Sequence, residues 1–155
     1  MRTGSAAVVL ALAAAGCGGT RYTLTPESNT QTQENVISVW ANWVKDKGEK
    51  FDVDLRVKNL SDKMQILYSD DITGSRGATT GTIKHARLGI GERTIDIAPG
   101  QTKSLVIVCI HDGEPSGDFV IRLGRIYDNP SGDRKTSGAV VSEGIEWRLA
   151  ESTLE

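Results

Sequence analysis

The residues of this 155-residue chain that could do chemistry are two cysteines, two histidines and a few loop carboxylates. Cys17 follows a run of small apolar residues and Cys109 lies within the most apolar segment, so different roles are expected for them rather than a disulfide. His111-Asp112-Gly113-Glu114 puts three ligand-type side chains within four residues. Structural zinc takes four ligands, typically including thiolates or further histidines, which this sequence does not offer. Asp128-Asn129-Pro130-Ser131-Gly132-Asp133 has oxygen donors but neither the spacing nor the terminal Glu of a calcium loop, and it reads as a turn. No Gly-x-Ser-x-Gly nucleophile elbow occurs, and Leu88-Gly89-Ile90-Gly91-Glu92 lacks the lysine and helix of a phosphate cradle. No catalytic residue, metal or cofactor is expected. A triad assembled by the fold from His85 or His111 keeps a small envelope hydrolase or metal-dependent enzyme as a third reading.

The charge balance, 18 basic against 20 acidic residues, argues against a nucleic-acid binder. With 38% hydrophobic and 25% charged residues, the length suits one folded domain.

Cys17 takes its meaning from what precedes it. One basic residue, Arg2, leads into an apolar run over residues 6–15, followed by Gly16-Cys17-Gly18-Gly19. The run is too short to span a membrane, which takes about 20 apolar residues, and it has the layout of a secretory signal. Ala14-Ala15-Gly16-Cys17 resembles the lipobox of bacterial lipoproteins. That resemblance implies cleavage between Gly16 and Cys17, with diacylglycerol and palmitate-type acyl chains on Cys17 and a chain held to the membrane by lipid alone. It departs from the usual pattern at Ala14, where leucine is commonest. Two or more acyl chains, at about 0.8 kcal/mol per buried CH₂, hold a protein essentially permanently. Gly18 stands where an aspartate would favour inner-membrane retention, so a periplasm-facing position on the outer membrane is favoured over the inner. Cys109 is expected to be a buried small hydrophobe.

The elements carrying these residues come next. Residues 17–35 are rich in Gly, Ser, Thr, Asn and Gln and read as a flexible linker, placing the domain on the order of 23 Å from the membrane. From Val36 the period becomes that of strands. Phe51-Asp52-Val53-Asp54-Leu55-Arg56-Val57-Lys58 alternates perfectly, as only a half-buried strand does. Further strands are expected over residues 36–44, 64–68, 83–88, 94–97, 104–110 and 119–127, and at 145–149. The 104–110 strand is apolar on both faces and therefore central. Ala98-Pro99-Gly100-Gln101 suits a type II turn.

The expectation is an all-β antiparallel sandwich of seven or eight strands over residues 36–150, with a signal at 1–16 and a tail at 151–155. The Phe51 strand ends in Asn59-Leu60-Ser61-Asp62, and Pro99-Gly100 leads into the apolar 104–110 strand. Together these resemble the immunoglobulin-like domains found on many bacterial lipoproteins.

If residues 36–44 alternate without a break, Trp43 faces the core and Trp40 the other side, half-exposed and free to stack on a glycan or fill a partner's pocket. The glycine-rich stretch 74–81, with Arg76, reads as a mobile loop. It and the 128–138 loop, with Asp128 and Asp133, are the other candidate contact regions. The function expected is a lipid-anchored, non-enzymatic binding or accessory module of the cell envelope, with an envelope protein or a glycan as partner. A glycan- or peptidoglycan-binding module is the alternative.

Overall fold

The computed structural model describes residues 10–12, 18–85, 93–129 and 138–154. The signal and lipidation residues Gly16 and Cys17, and Asp133, lie outside the described residues. Three short strands, β1 (Leu10–Leu12), β2 (Thr20–Thr23) and β3 (Gln31–Gln33), precede the long pair β4 (Ile37–Asp46) and β5 (Lys50–Asn59). Then come β6 (Gln65–Tyr68), β7 (Thr73–Arg76), β8 (Thr79–His85), β9 (Thr94–Ile97) and β10 (Thr102–Ile110). The chain ends with β11 (Phe119–Leu123), β12 (Ile126–Asp128), β13 (Val140–Ser142), β14 (Ile145–Leu149) and a 3₁₀ turn, Glu151–Leu154.

The strands are antiparallel throughout and form an all-β sandwich. The larger sheet runs β1-β2-β4-β5-β10-β8-β7-β11-β14, with β3 also on β4, and the smaller runs β13-β12-β6-β9. β8 makes the corner: residues 79–81 pair with β7 and residues 82–85 with β10. A strand shared in this way turns the sheet back on itself. The rings of Phe51 on β5 and Phe119 on β11 consequently meet edge to face at 5.1 Å. Gly74 and Gly81 sit opposite each other at this corner, where an added Cβ would come within 2.8 Å and 2.4 Å of Cys109 Sγ. The glycines thus make room for the thiol and let the sheet bend.

Alternation places the core. Phe51, Val53, Leu55 and Val57 are all buried, as are Leu105, Ile107 and Cys109 on β10, and Trp147 and Leu149 on β14. Each such aliphatic or aromatic side chain contributes roughly 1.5–3 kcal/mol by leaving water. β10 is central in pairing, between β5 and β8, although Val106, Val108 and Ile110 on its other face are only half-covered.

Eleven of the fourteen strands among the described residues fall within residues 36–150, where seven or eight are expected, β1 lies within the expected signal, and three further regions differ from expectation. Residues 18–35 are not a free linker. β2 pairs with residues 43–46 of β4 and β3 with residues 37–39, while Leu24 and Asn29 are buried. Between the two short strands β4 lacks a neighbour at Ala41, and Asn29 of the one-turn helix α1 (Pro26–Asn29) fills the gap. Its Oδ1 accepts from Ala41 N at 2.6 Å, and its Nδ2 donates to Ala41 O at 3.0 Å. An amide can replace a strand residue because it carries the same donor and acceptor. The glycine-rich stretch 74–81 is a β7–β8 hairpin rather than a mobile loop, with Gly77 at φ 55° in its turn. Within the expected tail, residues 151–154 are tied down as well: Leu154 packs on the core and Glu151 pairs with Arg76 at 2.9 Å.

Asn59 explains why its motif and the Pro-Gly turn accompany each other. Its buried side chain donates to Ile97 O at 2.9 Å and Lys63 O at 2.6 Å, and accepts from Ser61 N at 2.8 Å. Its backbone bonds Gly100 N and Gln101 O at 3.0 Å each, joining the strand end to the turn. Asn59→Ala is expected to cost on the order of 3 kcal/mol, because several buried backbone groups lose their partners. Urea denaturation checks this, and a loss no greater than that of Ser61→Ala contradicts the hub role. Asn29→Ala is expected to raise amide exchange selectively over residues 20–33 and at Ala41.

Candidate functional site

The site begins with a one-residue irregularity. Pairing between β4 and β5 steps from Ala41↔Leu55 to Trp43↔Asp54, which leaves Asn42 as a bulge. A bulge shifts the alternation by one residue. Val44 therefore enters the core, and Trp43, expected there, instead joins Trp40 on the outer face of the sheet. Both indoles are half-buried.

Between these two rows the outer face carries a fixed polar network. Trp40 lies opposite Arg56 and Trp43 opposite Asp54. Asp54, only 5% exposed, accepts from Ser104 Oγ at 2.9 Å, Arg56 Nη2 at 3.0 Å and Asn42 Nδ2 at 3.2 Å. The guanidinium of Arg21 on β2 stacks on Trp43 at 4.6 Å from the ring centroid. This combination can stack on a flat face and bond to polar groups. Its carboxylate is already held by three donors.

The other predicted residues do not join it. Arg76 ends β7 on the inner side, 5% exposed, with its guanidinium 3.6 Å from the Phe119 ring centroid and bonded to Glu151 at 2.9 Å and Asp46 at 3.3 Å. It fastens the end of the sandwich and offers no contact surface. Asp128 lies on β12 of the smaller sheet, where its Oδ1 accepts from Ala139 N at 2.7 Å and its backbone bonds Gly138 and Ala139. These bonds hold residues 128 and 138–139 together. Trp43, Asp54 and Arg56 escaped sequence reasoning as site residues, because a bulge leaves no compositional mark.

Cys109 and His111 form the pair that most resembles a nucleophile with its base, Sγ to Nε2 at 3.4 Å. Their surroundings oppose that role. Burial pushes the thiol up to about 11, and burial together with the Arg76 charge holds His111 below the usual histidine range. An activated cysteine needs the reverse on both counts. His111 stacks on Phe51 at 5.5 Å and is buried, whereas Asp112 and Glu114 are exposed, so the three ligand types of that loop do not converge. Among the described residues no group of three His, Cys, Asp or Glu could hold a metal ion, and no helix is long and apolar enough to cross a membrane.

The described strands define an all-β antiparallel sandwich whose larger sheet carries two half-buried indoles beside a fixed polar network on its outer face. No protein-family model and no curated protein matches the chain. Among solved structures it is similar to a Bacillus subtilis protein described as a "putative lipoprotein (ycdA)", with 14% identity and a TM-score of 0.51. The likeness covers 81% of this chain and 39% of that one, and it shows the fold.

The two shifts set the pH dependence. The unfolded thiol ionises near 9 and the folded one near 11, so stability is expected to fall as pH rises across that interval. His111, with its folded value lowered from 6.5, contributes stability that is lost as pH falls below about that value. Denaturation series on wild type and Cys109→Ala should differ above pH 9. Native Cys109 should resist alkylation at pH 8 until the chain is unfolded.

Proposed function

We propose that the chain is a lipid-anchored lipoprotein of the cell envelope, a non-enzymatic binding or accessory module that faces the periplasm. The observation that carries this reading is the sequence Ala14-Ala15-Gly16-Cys17 set directly ahead of a sandwich with an open aromatic face. The Bacillus subtilis neighbour supports it by its description as a lipoprotein. The buried, unactivated Cys109–His111 pair supports the non-enzymatic part. Gly18 in place of aspartate favours the outer membrane over the inner. Mass spectrometry of the protein purified from membranes should find residues 1–16 missing and a diacylglycerol adduct on an N-terminal Cys17. An unlipidated chain, or one beginning elsewhere, refutes the reading.

A second reading, a glycan- or peptidoglycan-binding module, is favoured by Trp40 and Trp43 sharing one face with the Asp54–Arg56–Asn42 network. Carbohydrate recognition pairs stacking surfaces with fixed polar groups, and buried aromatic contacts dominate the energy of most interfaces. Retention on purified cell wall should fall at least tenfold for Trp40→Ala with Trp43→Ala if the partner is a glycan, an expectation in line with hot-spot losses above about 1.4 kcal/mol. Equal retention leaves an envelope protein as the partner.

A further inference from the structure

The strand pairing of residues 20–23 removes most of the slack that a lipid anchor at Cys17 would otherwise have. β2 begins at Thr20, opposite Asp46, so Gly18 and Gly19 alone separate Cys17 from the sheet. The three steps from Cys17 to Thr20 span at most about 11 Å, and Gly18 is a single step away. Both glycines lie against the turn that joins β4 to β5. A Cβ on Gly18 would stand 3.1 Å from Lys45 Nζ, and Gly19, at φ 78°, leaves no room for one beside Asp46 O.

Lysines gather at the same place. Gly18, Gly19, Lys45, Lys47 and Lys50 line an open cavity of about 410 Å³. Lys47 is paired with Asp52, and Asp46 is engaged by Arg76. Among the described residues Lys45, Lys50 and the exposed Arg21, which lies opposite Lys45, make no ion pair. The exposed carboxylates nearby are Glu49 and Glu114, and neither lines the cavity.

We propose that this β4–β5 tip is a docking surface for the anionic lipid headgroups of the membrane that carries the chain. The domain then stands on its lipid, with the long strands pointing away from the bilayer. The inference rests on acylation of Cys17 and adds an orientation and a lipid preference to it. A negative surface attracts basic residues only within about a Debye length, roughly 8–10 Å, and Gly18, a single step from Cys17 and beside Lys45, keeps the tip inside that distance.

The test uses the full protein extracted from membranes and reconstituted into vesicles whose headgroups carry an energy-transfer acceptor. One vesicle set is phosphatidylcholine alone and the other contains about a third phosphatidylglycerol. A donor fluorophore is placed on Glu49→Cys at the tip or on Asp62→Cys beyond the other end of β5. Ten strand residues put the two ends about 30 Å apart. Transfer is expected to be strong from position 49 and weak from position 62. On the anionic vesicles, Lys45→Glu with Lys50→Glu should cut transfer from position 49 about threefold, with Lys45→Gln and Lys50→Gln in between and no change on neutral vesicles. Equal transfer from both positions, or no effect of charge reversal in a variant with wild-type thermal unfolding, overturns the docking and leaves the anchor standing. Failure of the wild type to enter either vesicle overturns anchor and docking together.

Discussion

The amide of Asn29 is the contact on which the fold of the larger sheet back on itself depends, since it joins the distant strands β4 and β14. It completes β4 at Ala41, the one stretch of that edge left open between β2 and β3, and its Oδ1 also accepts from Trp147 Nε1 at 3.0 Å. A single side chain thereby joins the N-terminal segment, the longest hairpin and the last strand. Its bonds to Ala41 N, Ala41 O and Trp147 Nε1 are all buried, where a lost partner costs far more than a bond gains in water. The attachment sits between β2 and β3 on β4, one residue before the Asn42 bulge.

Which parts of the fold could be read from the sequence follows from the kind of force holding each part. Where apolar burial holds a strand, the sequence records it. The Phe51–Val57 alternation, the 94–97 strand, the 145–149 strand and the Pro99–Gly100 turn stand as read, with Gly100 at φ 71°. Where hydrogen bonds hold the chain, the composition misleads. Residues 18–35 contain little to bury, yet backbone pairing and one amide order them. Gly74 and Gly81 look like mobility and are in fact the clearance a folded-over sheet needs around a thiol.

The candidate site was legible in the same uneven way. Trp40 could be placed because alternation is intact up to Ala41. Trp43 could not, since the phase changes at a bulge whose residue, Asn42, looks like any other polar strand position. Arg76 reads as a loop cation but lies under Glu151, 75 residues further along, a partner no local pattern announces. The reading proposed for Cys17 is the opposite case, since it rests wholly on the order of its neighbours.

The bond between Asn29 and Trp147 also bears on when the molecule can form. Its partners are 118 residues apart in sequence. Closing so wide a loop is entropically costly until many other contacts share the burden, and chains dominated by distant pairings fold slowly. Asn29 therefore waits for a residue synthesised 118 positions later before its position is fixed. For a chain exported unfolded, as the proposed lipoprotein would be, that delay keeps the polypeptide threadable until its C-terminal strand has arrived.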